Sequence, residues 1–467
     1  MNPSKKIKKV KLNKKIIWTL LFIISLIHGF MCISQGILSS CVTQIKQELN
    51  LSYEEYSLFG TLNGLGSLIG SFIFTLIINI VSHKYLICIM LIINSLAHFA
   101  FYFKLKYYFL LLSRFISGFA SVFCYIYFPM WVDEFGFKSW INFMQTFVQV
   151  SNTIGHIFGY FIYYLFGSTF WKYGFLYEIF SINCLVLFLA LIPKYYFDKN
   201  FSEKNNINNN INNEEEIKLK NENENNNNNN NNNQIKKEKK EKNYNYSIIK
   251  DILCNIPYMF IVLYRTNRLF VFVALDFWFS DYIQSNLYIN DPSQIFISYS
   301  FSIVLSPLLG LIFGGILSNK IGGPKCKHVF KAMLYLQIFS VFFGFLSNFV
   351  KNLKYFTFYM SLYMLINSAA GLISISASYA VIPKNLIGSA TGIYSIIVNL
   401  GGFLPAPYCY AVLKNIFGNG GYIILFFMGY GIIGAIFLFT ADIYMKNKKI
   451  FIYKDDEDED VIIKGNN

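Results

Sequence analysis

Only three arginines, Arg114, Arg265 and Arg268, stand among thirty-seven lysines. Each falls inside a long apolar run, where a charged group costs roughly 3 kcal/mol in hydrocarbon unless it finds a partner or a cavity. At 100° per residue, Arg265, Arg268 and Asp276 share about 80° of one helical face. On the wall of a water-filled cavity, two guanidinium forks can hold a carboxylate or phosphate bidentately, with Asp276 as their counter-charge. Trp278 and Tyr282 would then meet an apolar part of the same ligand. The alternative is a span beginning near Leu269, which leaves both arginines as interfacial anchors. Arg114 either links helices to substrate and gate or snorkels to the outer interface.

Histidines His28, His98 and His156 lie inside apolar runs, where a titrating imidazole can relay protons and a neutral one simply holds helices together. Gln35, Asn63, Gln145, Gln149, Asn152, Asn367 and Asn399 add neutral hydrogen-bonding groups, for a ligand or for a neighbouring helix. There is no H-x-x-x-x-D, H-E-x-x-H, G-x-S-x-G or P-loop, so neither acyl transfer, metal hydrolysis nor ATP use is indicated. The eight cysteines form no CxxC pair and read as buried free thiols.

The elements that must position these groups are membrane helices. The chain is 54% hydrophobic and 14% charged, where a soluble protein carries about a quarter charged residues. Twelve runs reach bilayer length: Ile16–Leu38, Tyr56–Ile80, Leu86–Phe103, Tyr108–Trp131, Trp140–Phe166 and Tyr173–Ile192, then Tyr258–Leu287, Phe296–Leu317, Val329–Phe349, Phe356–Ile382, Leu386–Leu413 and Tyr422–Tyr444. An all-α polytopic membrane protein of two six-helix halves follows, with halves at 16–193 and 251–445. The basic tail 1–15, the Asn-rich loop 194–250 and the charged tail 446–467 flank them. That loop holds an unbroken asparagine run, Asn225–Asn233, with almost nothing to bury, and is expected to be disordered. With the N-terminus inside, nineteen lysines of the short loops and tails are cytoplasmic and seven outside, leaving eleven in the long central loop, so both termini are expected in the cytoplasm. The net charge of +14 therefore points to anionic lipid and not to nucleic acid.

Glycines recur in corresponding spans of the two halves: Gly60, Gly64, Gly66 and Gly70 in span two, Gly310, Gly314 and Gly315 in span eight. Span five has Gly155 and Gly159, and span eleven has Gly388, Gly392, Gly401 and Gly402. Such spacing lets helices approach closely, and its repetition suggests two related halves.

Over nearly the whole chain outside the Asn-rich loop, the sequence resembles the major facilitator superfamily of secondary transporters. Arg114-Phe-Ile-Ser-Gly118 matches its R-x-x-x-G motif. Gly314-Gly-Ile-Leu-Ser-Asn-Lys-Ile-Gly-Gly323 matches the second copy of its inter-helix loop motif, which implies gating roles for Gly315, Asn319, Lys320 and Gly322. The first copy, Asn79-Ile-Val-Ser-His-Lys84, lacks the expected Gly and Asp. Tyr127-Phe-Pro-Met-Trp131-Val-Asp133-Glu134 and Trp278-Phe-Ser-Asp281-Tyr282 resemble spinster-like lysolipid transporters of protists, adding Asp281 to the candidates. Asp133 and Glu134 are gating candidates that can pair with Lys138 or the other half's basic loop. The first of these segments, with Gln149, also resembles sugar porters, although the paired glutamines of their seventh span are absent. Neutral Ile33/Ser34 and Ala120/Ser121 stand where spinster proteins carry acids, so proton coupling of that type is not implied.

The expected function is secondary active transport of a small organic solute or lysolipid by alternating access, with an anionic substrate favoured by the arginines. A neutral hexose carrier and a non-transporting receptor or scaffold are the alternatives. No cofactor, metal or nucleic acid is expected; the partners are the substrate, the bilayer and a candidate coupling proton, and the chain is expected to be a monomer in a plasma or internal membrane.

Overall fold

The computed structural model describes residues 14–77, 81–137, 140–166, 171–198, 250–322, 328–382, 386–418 and 420–447. The expected Asn-rich loop and both charged tails lie almost wholly outside these residues. In the first half the helices are α1 (Lys14–Phe30), α2 (Ile33–Ser40), α3 (Val42–Leu49), α4 (Tyr53–Ile77), α5 (His83–Tyr102), α6 (Tyr107–Phe135), α7 (Ile141–Phe166) and α8 (Trp171–Leu191). In the second they are α9 (Ile256–Asn286), α10 (Pro292–Tyr299), α11 (Ser306–Ile321), α12 (Val329–Asn348), α13 (Leu353–Ala380), α14 (Ile387–Val398), α15 (Ala406–Phe417) and α16 (Gly420–Asn447). α1 with α2 forms span one. π-helical turns at Ser300–Leu305 and Asn399–Phe403 sit within spans eight and eleven.

Eleven of these stretches are long and apolar enough to cross a membrane by length and composition. The expected fifth span, α7, is a 26-residue helix made less apolar by Gln145, Gln149, Asn152 and His156. These four lie within about 60° of one face. A polar face on a membrane-scale helix has to meet protein or water.

The halves repeat one packing plan: α4 lies along α6 in the first half, and α11 along α13 in the second. Glycine makes both contacts possible. A Cβ on Gly66 would lie 2.1 Å from the Phe115 carbonyl oxygen, and one on Gly310 2.1 Å from that of Leu365. Not every motif glycine serves its own half. Gly64 backs onto Leu404 of the other half, and Gly392 meets nothing within 4 Å.

The distribution of the buried apolar residues decides the shape. One core joins the halves, bringing Ile37, Tyr56 and Tyr160 together with Trp278, Tyr299 and Tyr410. It sits at the end of the bundle that holds α3, here called distal. Two other cores each stay within one half, around Phe123 and Trp131 and around Ile261 and Ile373. They occupy the proximal end, where Lys14 and Asp198 lie. Among the described residues the shared core is thus distal, and the two proximal cores each stay within one half.

Two expectations need correction. Lys194–Asp198, assigned to the central loop, is anchored to the first half: Trp131 Nε1 donates to the Tyr196 carbonyl at 2.9 Å and Tyr127 Oη to that of Phe197 at 2.7 Å. These donors on α6 were legible only as aromatics. And Cys184 and Cys254 are exposed, while Cys32, Cys41 and Cys124 are buried.

Candidate functional site

Span seven sets the frame. Asn255 caps α9, its side chain accepting from the Tyr258 amide, with Pro257 in the first turn. These are strong start signals, so the helix begins at Ile256 and not near Leu269. Arg265 and Arg268 therefore lie about 14 and 18 Å along its axis at 1.5 Å per residue, well inside the helix and not at its start. The Arg265 guanidinium carbon stacks 3.7 Å from the centre of the Tyr394 ring on α14. Arg268 is half-buried against α13, its Nη1 donating to the Asn367 carbonyl at 3.4 Å and its fork resting on Gly371. A Cβ at 371 would come within 2.6 Å of the guanidinium carbon, so any larger residue there would push that end of the Arg268 side chain aside.

Asp276 is not their counter-charge. Tyr299 Oη donates to Asp276 Oδ1 at 2.7 Å, and His156 Nδ1 lies 3.5 Å from Oδ2. The pair joins α7 of one half to α9 of the other. Among the described residues no carboxylate forms an ion pair with Arg268.

The distal end is sealed by Asp281. Lys414 Nζ on α15 is 3.2 Å from Asp281 Oδ2, both side chains nearly fully buried. Tyr53 Oη, from the first half, donates to Asp281 Oδ1 at 3.1 Å, and Lys46 Nζ sits over the Tyr53 ring. Thr43 Oγ1 donates to Gln284 Oε1 at 2.5 Å, and Ser280 Oγ donates to the Ser39 carbonyl. Trp278 is fully buried, stacked on Tyr410 with its Nε1 on the Pro407 carbonyl, and Tyr282 stacks on Phe356. Asp281, Trp278 and Tyr282, expected at a ligand, instead pack the closure. Lys46, outside the spans, is pushed down to about 8 by burial, with Lys414 adding to the effect and Asp281 opposing it.

Arg114 does not snorkel. It is buried, its Nε donates to the Phe59 carbonyl at 3.3 Å, and Asn63 Nδ2 donates to its own carbonyl. Gln35 Nε2 extends that chain to Asn63 at 3.4 Å. Arg114 also interacts electrostatically with Glu178, an acid of span six the sequence reading overlooked. Glu178 is fully buried, takes a hydrogen bond from Ser34 Oγ at 3.4 Å, and lies 3.4 Å from His98 Nδ1. A lone Glu in an otherwise apolar run was the available signal.

The remaining candidates scatter. His28 donates through Nδ1 to the Val148 carbonyl at 2.8 Å, a helix tie between α1 and α7. Gln149 is exposed and Asn152 half-buried on the polar face of α7, and Asn399 is buried in the π turn of span eleven. Glu134 is half-buried in the last turn of α6, whereas the Asp133 side chain and Lys138 lie outside what is described. Gly315 faces Leu372 of α13. Asn319 and Lys320 are exposed at the proximal end, and Gly322, at φ 104°, caps α11 in the left-handed conformation.

A model of the Major Facilitator Superfamily matches residues 24–406. No curated protein matches the chain by sequence. Among solved structures, a bacterial homologue of the human lysosomal transporter Spinster, inward-facing and occupied, is similar with TM-score 0.66 at 11% identity, over 93% of this chain and 97% of that one. A nucleoside transporter is similar with TM-score 0.63 at 14% identity, over 90% and 98%. A D-xylose–proton symporter gives 0.62 at 13%, over 90% and 97%. At such identities the likeness is one of fold.

Proposed function

The chain belongs to the Major Facilitator Superfamily and is a multi-pass membrane transporter, not an enzyme; on that premise we propose that it carries a small organic anion by alternating access. The observation that carries this reading is the core that joins the halves at the distal end, while among the described residues each proximal core stays within one half. A bundle welded at one end and parted at the other is one of the two end states that alternating access requires. With the proximal end in the cytoplasm, as the lysine bias suggests, this is the state open to the inside.

The anionic charge is inferred from Arg268. Its guanidinium is half-buried, mid-span, and held by one carbonyl, so two or more of its N–H groups are available to a carboxylate or phosphate. A lysophospholipid headgroup and a small organic acid share that chemistry. The polar face of α7 would form the opposite wall.

Uptake into proteoliposomes separates the readings. Saturable accumulation of an organic acid or lysophospholipid, competed by other anions and not by hexoses, is the expected result. Uptake of hexoses alone would favour the sugar-carrier reading, and no uptake across sugars, amino acids, acids and lysolipids would favour a receptor or scaffold.

A further inference from the structure

Two spans of the second half carry the same backbone irregularity. In span eight the Ser306 amide donates to the Phe301 carbonyl, and in span eleven the Leu404 amide donates to that of Asn399. Each is a bond to the fifth residue back, and each donor stands directly before a proline, Pro307 or Pro405. A proline ring crowds the carbonyl four residues back and offers it no N–H, so the helix widens into a π turn there. The matching spans of the first half, α4 and α7, hold no proline and run unbroken over 25 and 26 residues.

What lies proximal to the turn differs between the two. α11 is locked to α13, because a Cβ on Gly310 or Gly314 would collide with the carbonyl oxygen of Leu365 or Ala369. In span eleven the distal side is the fixed one. A Cβ on Gly64 of the first half would lie 3.0 Å from the Leu404 Cα, and one on Gly60 2.7 Å from the Pro407 ring. On the proximal side α14 runs between α9 and α4 of the first half, yet no side chain from Thr391 to Ile397 is buried. The turn itself contains Gly401 and Gly402, which add no side chain to stiffen it. Two contacts tie α14 to α9. Tyr258 Oη donates to the Ala390 carbonyl at 2.6 Å, and the Tyr394 ring stacks on Arg265. Only the second involves a group that an anion would claim, since Arg265 stands three residues from Arg268 on one helical face.

We propose that α14 is a hinged gate segment at the proximal end, turning about residues 399–405 and held in its present place by the Tyr394–Arg265 stack until an anion arrives. A carboxylate or phosphate engages a guanidinium bidentately, and more strongly than the face of an aromatic ring does. Binding at the arginines draws Arg265 off the ring, and α14 then turns against α4 to narrow the space between the halves. The distal core stays intact meanwhile, because Ala406, Tyr410 and Ala411, the part of the span it holds, lie beyond the turn. The proposal rests on the anion reading of the arginine site, and it makes Tyr394 the residue that passes occupancy of that site to the gate.

A distance within the second half provides the test, because rigid rocking of the two halves leaves it unchanged. Spin labels at Thr391→Cys on α14 and Ile443→Cys near the proximal end of α16, both exposed, are placed in an otherwise cysteine-free full chain in lipid nanodiscs. The distance is read by double electron–electron resonance. On an arm of about 12 Å, a kink of about 20° moves residue 391 by about 4 Å. Tyr394→Ala should produce that shift with no ligand present, and Tyr394→Phe, which keeps the ring, should not. Of the probes inorganic phosphate, citrate and lysophosphatidic acid, at least one should produce it with Tyr394 in place. Pro405→Ala, which permits a regular helix, should abolish it. An unmoved distance in Tyr394→Ala, or a probe-driven shift that survives in Pro405→Ala, overturns the gate. A second pair, Tyr85→Cys with Lys320→Cys, reads the separation of the halves at the proximal end from exposed positions. If probes change that distance and leave 391–443 fixed, the halves move as rigid bodies: the gate falls and the anion reading stands. If Tyr394→Ala moves the arm but no probe moves either pair, the anion reading falls and the release by ligand falls with it. Should a variant fail to fold, the response of the two label pairs to the probes decides.

Discussion

The Asp281 carboxylate lies 3.2 Å from the Lys414 ammonium, with 3% and 6% of the two side chains exposed. The pair belongs to the second half, yet its third partner, Tyr53, belongs to the first. Removing one member strands a buried charge, at a cost of about 3–5 kcal/mol, whereas removing both is far milder. Lys414→Met and Asp281→Asn should each lower Tm in detergent, and the double variant should recover most of the loss. Tyr53→Phe should leave Tm nearly unchanged and ease distal opening, read as faster thiol labelling of Trp278→Cys.

The α4–α6 contact has no spare volume. Gly66→Ala would put a methyl 2.1 Å from a backbone oxygen, so about 1–3 kcal/mol of overpacking strain is expected. Gly392→Ala, with open space around it, should be silent in the same thermal-shift measurement.

Arg114 and Glu178 should behave as a unit. Arg114→Ala leaves Glu178 without its cation, and adding Glu178→Gln should restore part of the lost stability. Strict additivity of the two Tm changes would show that they act independently. Arg114→Lys should recover little, since a point charge does not replace the planar fork that reaches Phe59.

Arg268→Gln should raise the apparent KM for an anionic substrate by about tenfold or more, with surface expression unchanged, because a bond to a charged group contributes about 1.5–3 kcal/mol. Gly371→Ala should do nearly as much by displacing the guanidinium. Uptake of an anion that is indifferent to both changes would remove the arginine from the site.

Acid should loosen the segment behind span six. Burial pushes the Asp198 carboxyl up, but hydrogen bonds from His83 and Ser82 outweigh it and hold the group below its ordinary value. A depressed folded value means the contribution is fully present above the unfolded pKa near about 4 and is lost as pH falls through the folded one. The protection factor of the His83 amide, taken relative to its intrinsic exchange rate, should therefore stay high above about pH 4 and fall below it. Asp198→Asn should weaken that protection at neutral pH as well.

Local composition determined much of this protein. Bilayer-length apolar runs, glycines repeated in matching spans and the R-x-x-x-G of Arg114 were enough for a helical transporter in two halves, because hydrocarbon tolerates few other backbone solutions. Helical periodicity also placed Arg265, Arg268 and Asp276 on one face. What periodicity cannot give is the neighbour that face meets. Tertiary packing sent Arg265 to Tyr394, Arg268 to Gly371 and Asp276 across the halves to His156, three destinations for one stripe. It likewise paired Asp281 with Lys414, 133 positions away, and gave Glu178 the partners His98 and Ser34. An ion pair is a matter of a few ångströms between atoms, and in a bundle those distances are set by which helices touch and at what height. Neither quantity is written in the order of the residues along the chain.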